Sequence, residues 1–534
     1  MPHMEGRSHL VQLIQAARNT SPRATGVLLA ACLLLSLLWA VVYRLLFHPL
    51  ARYPGPFLHR ISIIPCIWYA YKGSRHVVLA KLHEEYGDIV RYGPNFLSFN
   101  NPKAIRGLSP KYVDSVCPST CTKCVLYLDI YGASSGFVKA KYYSHGPPGH
   151  KFTANIVTAV SKAEHGRKRR LMSGAMSDSA LRKFEPFVQE KIDLFLKQLM
   201  DPKSFNGTVK NLSEWFNFLS YDIMGHLAFG KGFNMLTSDE HHYVQPLIEQ
   251  FQHRGSVIGT APWLERFGLA RILLGNMMRK QQLFREYATV QAAERIAREN
   301  RGDGIDDIFR LLMQAKDKET GETMPMEEVA GEAAVLITAG SDTSSTALSG
   351  LVHYLAANPA CFSKLKTEVK AKFGSLEEIQ SGKPLASCVY LKACVDEALR
   401  LCPPVPGLLP RENHQGGYVT GVFVPPGIEV GVPIWAIHRK PELFPDPHTF
   451  RPERWIENSQ EQIDLARSGM MPFSVGTRGC VGKSLAMMEL HLITAKLAFI
   501  ANIEPTGPLG DDYGLKDFFG ASRDGPFLKI TADV

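Results

Sequence analysis

Apolar and polar positions repeat with different periods along this 534-residue chain, and each period predicts a different element. Thr25 to Tyr43 (TGVLLAACLLLSLLWAVVY) is a run of 19 residues without a charge. As a helix it spans about 28 Å, close to one hydrocarbon core. Trp39 and Tyr43 stand at one end of it, where amphipathic aromatics favour an interface. No small-residue cleavage site follows, so the run reads as an uncleaved anchor rather than a signal peptide. The basic, proline-punctuated RLLFHPLARYPGPF after it predicts a stiff hinge. Alternating runs such as DIVRYGPNFLSF, between Gly73 and Asn100, predict a small sheet. From Ser161 to about Phe373 apolar residues recur at three- and four-residue spacing, a helical pattern. Proline and glycine return between Pro403 and Pro472, and a further helix follows Gly482. No repeat or Gly/Ser linker divides the chain. The expected architecture is mainly α with minor β: a tail at 1–24, an anchor at 25–43, a hinge at 44–60 and one large domain at 61–534.

Composition changes little in this picture. Hydrophobic residues make up 45% of the chain and charged residues 21%, an ordinary globular balance. Ten cysteines at irregular spacing are too few for a disulfide framework, so reduced thiols in a cytosol-facing protein are expected. The formal charge of +9 suits an anionic membrane surface, an acidic protein or nucleic acid, and selects none of them. Arg7, Arg18 and Arg23 precede the anchor and Arg44, Arg52 and Arg60 follow it, which leaves its orientation open. Sequons at Asn19, Asn206 and Asn211 would matter only on a lumenal side.

Two cysteine motifs compete for a metal. CPSTCTKC (Cys117, Cys121, Cys124) has the C-x-x-x-C-x-x-C spacing of radical-SAM iron–sulfur sites. The strand–helix alternation such a fold needs does not follow it. A zinc site with His145 or His150 as fourth ligand lacks a second C-x-x-C pair. FSVGTRGCVG instead boxes one cysteine, Cys480, between Gly476, Gly479 and Gly482, with Arg478 two residues before it and Phe473 at its start. A thiolate on a heme iron needs backbone N–H groups aimed at the sulfur. Glycines let the main chain bend and come close, and an arginine can fork onto a carboxylate. The helix that follows favours a negative sulfur at its N-terminus. A glycine-rich turn around a buried cysteine is the bland alternative.

FxxGxRxCxG resembles the heme-binding signature of the cytochrome P450 family at every fixed position, and further motifs of that family occur in order along nearly the whole chain. The resemblance implies the cytochrome P450 fold behind one transmembrane helix, with heme b as cofactor and Cys480 as axial ligand of its iron. Glu397 and Arg400 in DEALRL form E-x-x-R, a pair on one helical face that is commonly a mere surface ion pair. By likeness they join Arg454 of FRPERW in a structural triad. Glu327 to Pro359 reads as one long helix whose centre, Gly340 to Thr346, carries a glycine and a run of hydroxyls. Such a run favours a local kink, or hydroxyls that bond back to the helix. AGSDTS there resembles the A/G-G-x-D/E-T motif. Thr343 is thereby expected to hydrogen-bond oxygen at the iron, and Asp342 to relay protons from solvent. EHGRKRRLMSGAMS is a basic run that fits a solvated face. The resemblance instead assigns His165, Arg169 and, in LLPRE, Arg411 to the heme propionates, with Met176 standing where an aromatic is usual. The implied pocket takes in Ala339 and Gly340, Val405, Pro406 and Leu408, and Phe518 and Phe519.

In fungal membrane-bound relatives a segment like SFNNPKAIR runs directly into DIYG. Here the two halves are separated by GLSPKYVDSVCPSTCTKCVLYL, residues 107–128, which is 22 residues or 66 nucleotides. That segment is expected to be an unspliced intron or a surface insertion. The implied activity is a monooxygenase that inserts one oxygen atom of O2 into a lipophilic substrate, a tailoring step in fungal secondary metabolism. Electrons would come from NADPH through cytochrome P450 reductase, with cytochrome b5 as a second donor. The catalytic domain is expected on the cytosolic face of the endoplasmic reticulum membrane, with no nucleic-acid partner. A heme-thiolate isomerase, dehydratase or peroxygenase is the alternative enzyme. A heme-binding electron carrier or sensor is the alternative of another class.

Overall fold

The computed structural model describes residues 22–106, 130–132, 135–144, 154–205 and 207–533. The cysteine triplet, His145 and His150, the first residues of the tail, and the sequons at Asn19 and Asn206 lie outside the described residues. Asn211 is described and is not a free acceptor for a glycan. Its amide donates to Asp524 at 2.9 Å and its Oδ1 caps the next helix at Ser213 N.

The chain begins with α1 (Pro22–Val42), which runs on through a π-helical turn to Phe47. The rest of the chain does not cover its apolar side chains: the most apolar window within Arg23–Phe47 has a mean hydropathy of 2.5 and is 0% buried, as a membrane-spanning helix requires. Three short helices follow: α2 (Phe57–Ile61), α3 (Ile64–Lys72) and α4 (Arg75–Tyr86). Arg60 and Arg91 tie this region to the anchor's end through the carbonyls of Leu45 and Arg44.

The minor sheet is assembled from distant pieces: β1 (Ile89–Gly93), β2 (Phe96–Phe99), β3 (Val138–Lys139), β4 (Arg411–Glu412) and β5 (Glu429–Gly431). Their spatial order is β1-β2-β5-β4-β3, with only the β2–β5 pair parallel. The helical body holds α5 (Lys162–Ala175), α6 (Leu212–Phe229), α7 (Val244–Thr260), α8 (Met326–Ala357), α9 (Val389–Leu401) and α10 (Lys483–Ile500). Helix α6 is apolar nearly all round and therefore central; it packs along α8, which also touches α9 and α10. A C-terminal hairpin, β6 (Lys516–Phe518) and β7 (Gly520–Ser522), reaches back onto α8.

In helix α8 the hydroxyls take one of the two expected arrangements, bonding back to the helix. It is continuous over 32 residues, through the glycine and the hydroxyls. The hydroxyls satisfy themselves on the helix: Thr343, Ser345, Thr346 and Ser349 each donate to the carbonyl four residues back, at 2.6–2.8 Å. Local back-bonding lets polar residues lie in a buried helix without breaking it.

The expected triad forms, and it is wholly buried. The Glu397 carboxylate accepts from Arg400 at 3.0 and 2.9 Å, from Arg454 Nε at 2.9 Å, from Trp455 Nε1 at 2.9 Å and from the Arg451 N–H at 3.0 Å. Burial by itself raises the Glu397 pKa, but the Arg400 and Arg454 charges and these bonds hold it below the ordinary carboxylate range.

Candidate active site

A cavity of about 250 Å³ lies between α8, the Phe473–Gly482 loop, α5 and the C-terminal hairpin. Its walls are apolar, from Ile156, Val157, Met224, Val335, Leu336 and Leu485 among others. Of the expected residues it gathers Cys480, Phe473, Arg478 and Gly482 from the loop, His165 and Arg169 from α5, Arg411 from β4, Ala339, Gly340 and Thr343 from α8, Val405 and Phe519. A second cavity, of about 430 Å³, adjoins it and shares His165, Arg169, Arg411 and Arg478.

The remaining expected residues face elsewhere. Gly476 lines the second cavity only. Its φ of +70° and an approach to the Tyr131 carbonyl, where a Cβ would come within 2.0 Å, both require glycine. Leu408 lines a small hole between α3, α4 and β1, and Pro406 uses its carbonyl to hold Trp435 N at 2.9 Å, so neither borders the cavity. Phe518 also points away and stacks on His253 with ring centroids 3.9 Å apart. Adjacent Phe519 turns inward at φ +81°, against Tyr142 and Tyr143, because the Asp517 carboxylate accepts its N–H while pairing with Arg75 at 3.1 and 3.0 Å.

Asp342 is the clearest departure. Successive helix residues point about 100° apart, and the cavity takes Thr343 but not Asp342. Thr343 lines the cavity; Asp342 lines a separate hole of about 20 Å³, with Gln245, Glu249, Gln252 and Arg523. Its carboxylate accepts from Gln252 at 2.6 Å and from Arg523 at 3.1 Å. Arg523 continues to Asn217 at 2.7 Å and to Ser345. No motif singled out Arg523, which the hairpin carries to α8 from 181 residues away.

Cys480 has accessible surface, and that surface opens into the cavity rather than outward. Burial pushes its thiol above the ordinary value, opposed by a hydrogen bond from the Gly482 N–H and by the charges of Arg169 and Lys483. The seven cysteines among the described residues are all free. Around the cavity stand more cations than the protein neutralises. Arg478 donates to the Ala159 and Val160 carbonyls at 2.8 and 2.7 Å, and Arg169 donates to the Gly479 carbonyl. Arg411 donates to the Tyr143 hydroxyl at 3.2 Å and the Pro410 carbonyl at 3.0 Å. None of the three forms an ion pair among the described residues. Burial, then the charge of Arg411, lowers Arg478 to about 10. Burial, then the charges of Lys139, Arg478, Arg169 and Arg411, lowers His165 to about 3, so it is neutral at physiological pH.

Two further polar groups, Lys139 and Glu489, line the cavity outside any motif. Lys139 sits on a strand of two residues with no motif around it. Glu489 of α10 faces Ser344, is 2% exposed, and is raised to about 7 by burial; a glutamate in an otherwise apolar helical stretch is the one sign of it.

The heme implied by the sequence resemblance fits this site. An unneutralised set of arginines, Arg411 buried and Arg169 and Arg478 half-buried, calls for a ligand with carboxylates, a thiol is presented to the cavity, and a Cβ on Gly482 would meet nothing within 4 Å. Among the described residues no cluster of His, Cys, Asp and Glu offers a competing metal site.

Comparison with known proteins agrees. Residues 130–498 match the cytochrome P450 family. The cytochrome P450 monooxygenase poxM of Penicillium oxalicum is 35% identical over 501 residues, covering 92% of each chain. The cytochrome P450 monooxygenase atnE of Emericella nidulans is 33% identical over 508 residues, covering 92% of this chain and 93% of its own. An averantin hydroxylase of Dothistroma septosporum is 34% identical over 488 residues, covering 91% and 86%. Fold, thiol, cation ring and relatives converge: the chain belongs to the cytochrome P450 family, which binds heme through a cysteine thiolate.

Proposed function

We propose that this chain is a membrane-anchored monooxygenase in which Cys480 is the thiolate ligand of the heme and the substrate is a lipophilic small molecule. The observation that carries this reading is that Cys480 looks into an apolar cavity walled by Thr343 and ringed by unneutralised arginines. When bound, the heme supplies oxygen activation and delivery of one oxygen atom to a substrate carbon. The protein's part is to hold and to dose. The Gly482 N–H steadies the Cys480 sulfur, and Arg169, Arg411 and Arg478 take the heme carboxylates. Leu336, Ala339, Val405 and Phe519 exclude water from the reacting face and favour an apolar substrate. Asp342, on the far side of α8, collects protons through a hole with room for one water. Thr343 presents its hydroxyl on the cavity side. A separate NADPH-dependent reductase supplies electrons. A carbon-monoxide difference spectrum of the reduced protein tests the site. Wild type gives the thiolate-type Soret band and Cys480→Ala loses it; a band retained in the variant refutes the assignment.

A tailoring hydroxylation in fungal secondary metabolism is the activity class we infer, since one relative is named a hydroxylase of averantin. Seating on the endoplasmic reticulum, with the domain on the cytosolic side, is supported by α1 and by an exposed apolar belt beside it. Phe57, Leu58, Ile64 and Trp68 lie on α2 and α3; Phe267 follows one short helix and Ile272 and Leu273 lie on the next, in a region that packs against α7, which packs against α3.

We also propose that residues 107–128 are an insertion absent from the working enzyme. The Ile130 N–H donates to the Ala104 carbonyl at 2.9 Å. With the 22 residues removed, Ile130 becomes the fourth residue after Ala104, so that contact is an ordinary α-helical hydrogen bond. With those residues removed, only Asp129 separates the helical segment Lys103–Arg106 from Ile130 in the chain. Sequencing the mature transcript decides: a message that encodes all of 107–128 removes the intron reading.

A further inference from the structure

Pairing of β3 with β4 sets Val138 opposite Glu412 and Lys139 opposite Arg411. Directly opposed residues of an antiparallel ladder share one face, with Cβ atoms about 5 Å apart. A lysine and an arginine are thus held side by side at 6% and 3% exposure, and burial, then the charges of Arg411 and Arg478, lowers the Lys139 pKa well below its ordinary value, so that its ammonium form calls for an anion beside it. Like charges in that position destabilise a sheet, and a buried cation without a counter-charge costs more still.

Neither cation has an acid within ion-pair distance among the described residues. Lys139 Nζ donates to the carbonyls of Ile156 and Val157, at 2.8 and 2.6 Å, which accounts for two of its three N–H groups. Tyr143 offers both cations a ring face, at 5.3 and 5.6 Å, but no charge. Glu332, the acid whose field reaches Lys139, is ion-paired to Lys168 at 3.1 Å and accepts the Ile156 N–H at 3.0 Å. Both Lys139 and Arg411 line the cavity that presents Cys480. We propose that Lys139 and Arg411 form a cross-strand two-cation clamp for a carboxylate bound in this cavity, contributed either by the heme or by an acidic substrate. For the first source the clamp rests on the heme reading above.

The test uses heme-loaded, full-length protein carrying Lys139→Gln or Lys139→Arg. Glutamine keeps an N–H donor for the two carbonyls and removes the charge, whereas arginine keeps the charge. One arm follows heme transfer to excess apomyoglobin. If the heme supplies the carboxylate, Lys139→Gln releases heme roughly ten- to a hundredfold faster, and Lys139→Arg stays within about threefold of wild type. The other arm titrates dodecanoate and methyl dodecanoate and reads the spin-state shift of the heme absorption. If the substrate supplies the carboxylate, wild type prefers the acid by about tenfold and Lys139→Gln loses that preference while heme release is unchanged. A Lys139→Gln protein that matches wild type in both arms overturns the proposal and leaves Lys139 as a tie to the 156–157 backbone. Failure of both variants to load heme also overturns it, because the charge is then not what matters. The carbon-monoxide spectrum of wild type, recorded alongside, separates failure of the clamp from failure of the heme reading.

Discussion

Glu397→Gln removes one negative charge from a cluster that has no solvent to replace it. Glu397 and Arg400 are both 0% exposed and Arg454 is 2% exposed. In wild type five donors converge on the carboxylate, and the amide would offer one oxygen where two now accept, while turning an N–H2 toward guanidinium donors. Two guanidinium groups would stay buried beside each other with no counter-charge. Breaking a buried ion pair from one side costs about 3–5 kcal/mol, against total stabilities of about 5–15 kcal/mol for folded domains. With a urea dependence of about 2–3 kcal/mol per molar, the midpoint falls by roughly 1–2 M. The assay is urea unfolding at fixed heme concentration, followed by the heme absorption and by tryptophan fluorescence, since Trp455 is itself a donor to the carboxylate. The pH dependence provides a second reading. The folded pKa lies below the unfolded value of about 4.5. The contribution is therefore complete above that value and is lost as pH falls through the lowered folded value. Wild type should lose stability on acidification below about pH 4.5, and the variant should lack that part of the acid limb. A midpoint shift worth less than about 1 kcal/mol, with the acid limb intact, would refute the reasoning.

Deleting 107–128 should leave a protein that folds and gives the same carbon-monoxide spectrum as the full chain, because the Ala104–Ile130 contact already joins the flanks; loss of the spectrum would show that the segment is needed. Asp342→Asn should slow reductase-supported turnover of a bound substrate by about a hundredfold or more, measured as NADPH consumed and product formed. Arg523→Met should lower product formed per NADPH consumed with little change in the carbon-monoxide spectrum, since it frees Asp342 without touching the Cys480 cavity. Protein lacking residues 1–47 should still sediment with phospholipid vesicles and be released by detergent rather than salt, because the apolar side chains of α2 and α3 remain exposed.

The local patterns of this chain are legible in the order of its residues. An uncharged run of hydrocarbon length reads as a spanning helix, apolar periodicity reads as α8, and glycines packed around one cysteine read as a loop for a thiolate. Each rests on neighbours within a few residues, so sequence order carries the physics. The hydroxyl run in α8 is half legible. The choice between a kink and bonding back to the helix depends on burial, which the packing of α6 on α8 supplies.

Which side each residue faces is another matter. Asp342 and Thr343 are adjacent in one motif, yet helix geometry gives one to a polar hole and the other to the cavity. Phe518 and Phe519 are adjacent in one hairpin, yet the turn between β6 and β7 sends them opposite ways. The partners that complete the site arrive through contacts across hundreds of residues: Arg523 on Asp342, Asp517 on Arg75, and Lys139 opposite Arg411. Their residue types carry no local signal, because an arginine or a lysine in a short strand is as ordinary on a surface as in a site. The family, a helix of membrane-spanning length and the thiol can be read from residue order alone, since each rests on near neighbours. The packing of β3 on β4 and of the C-terminal hairpin on α8 sets which charges face the cavity and which groups hold Asp342, because those contacts join residues far apart in the chain.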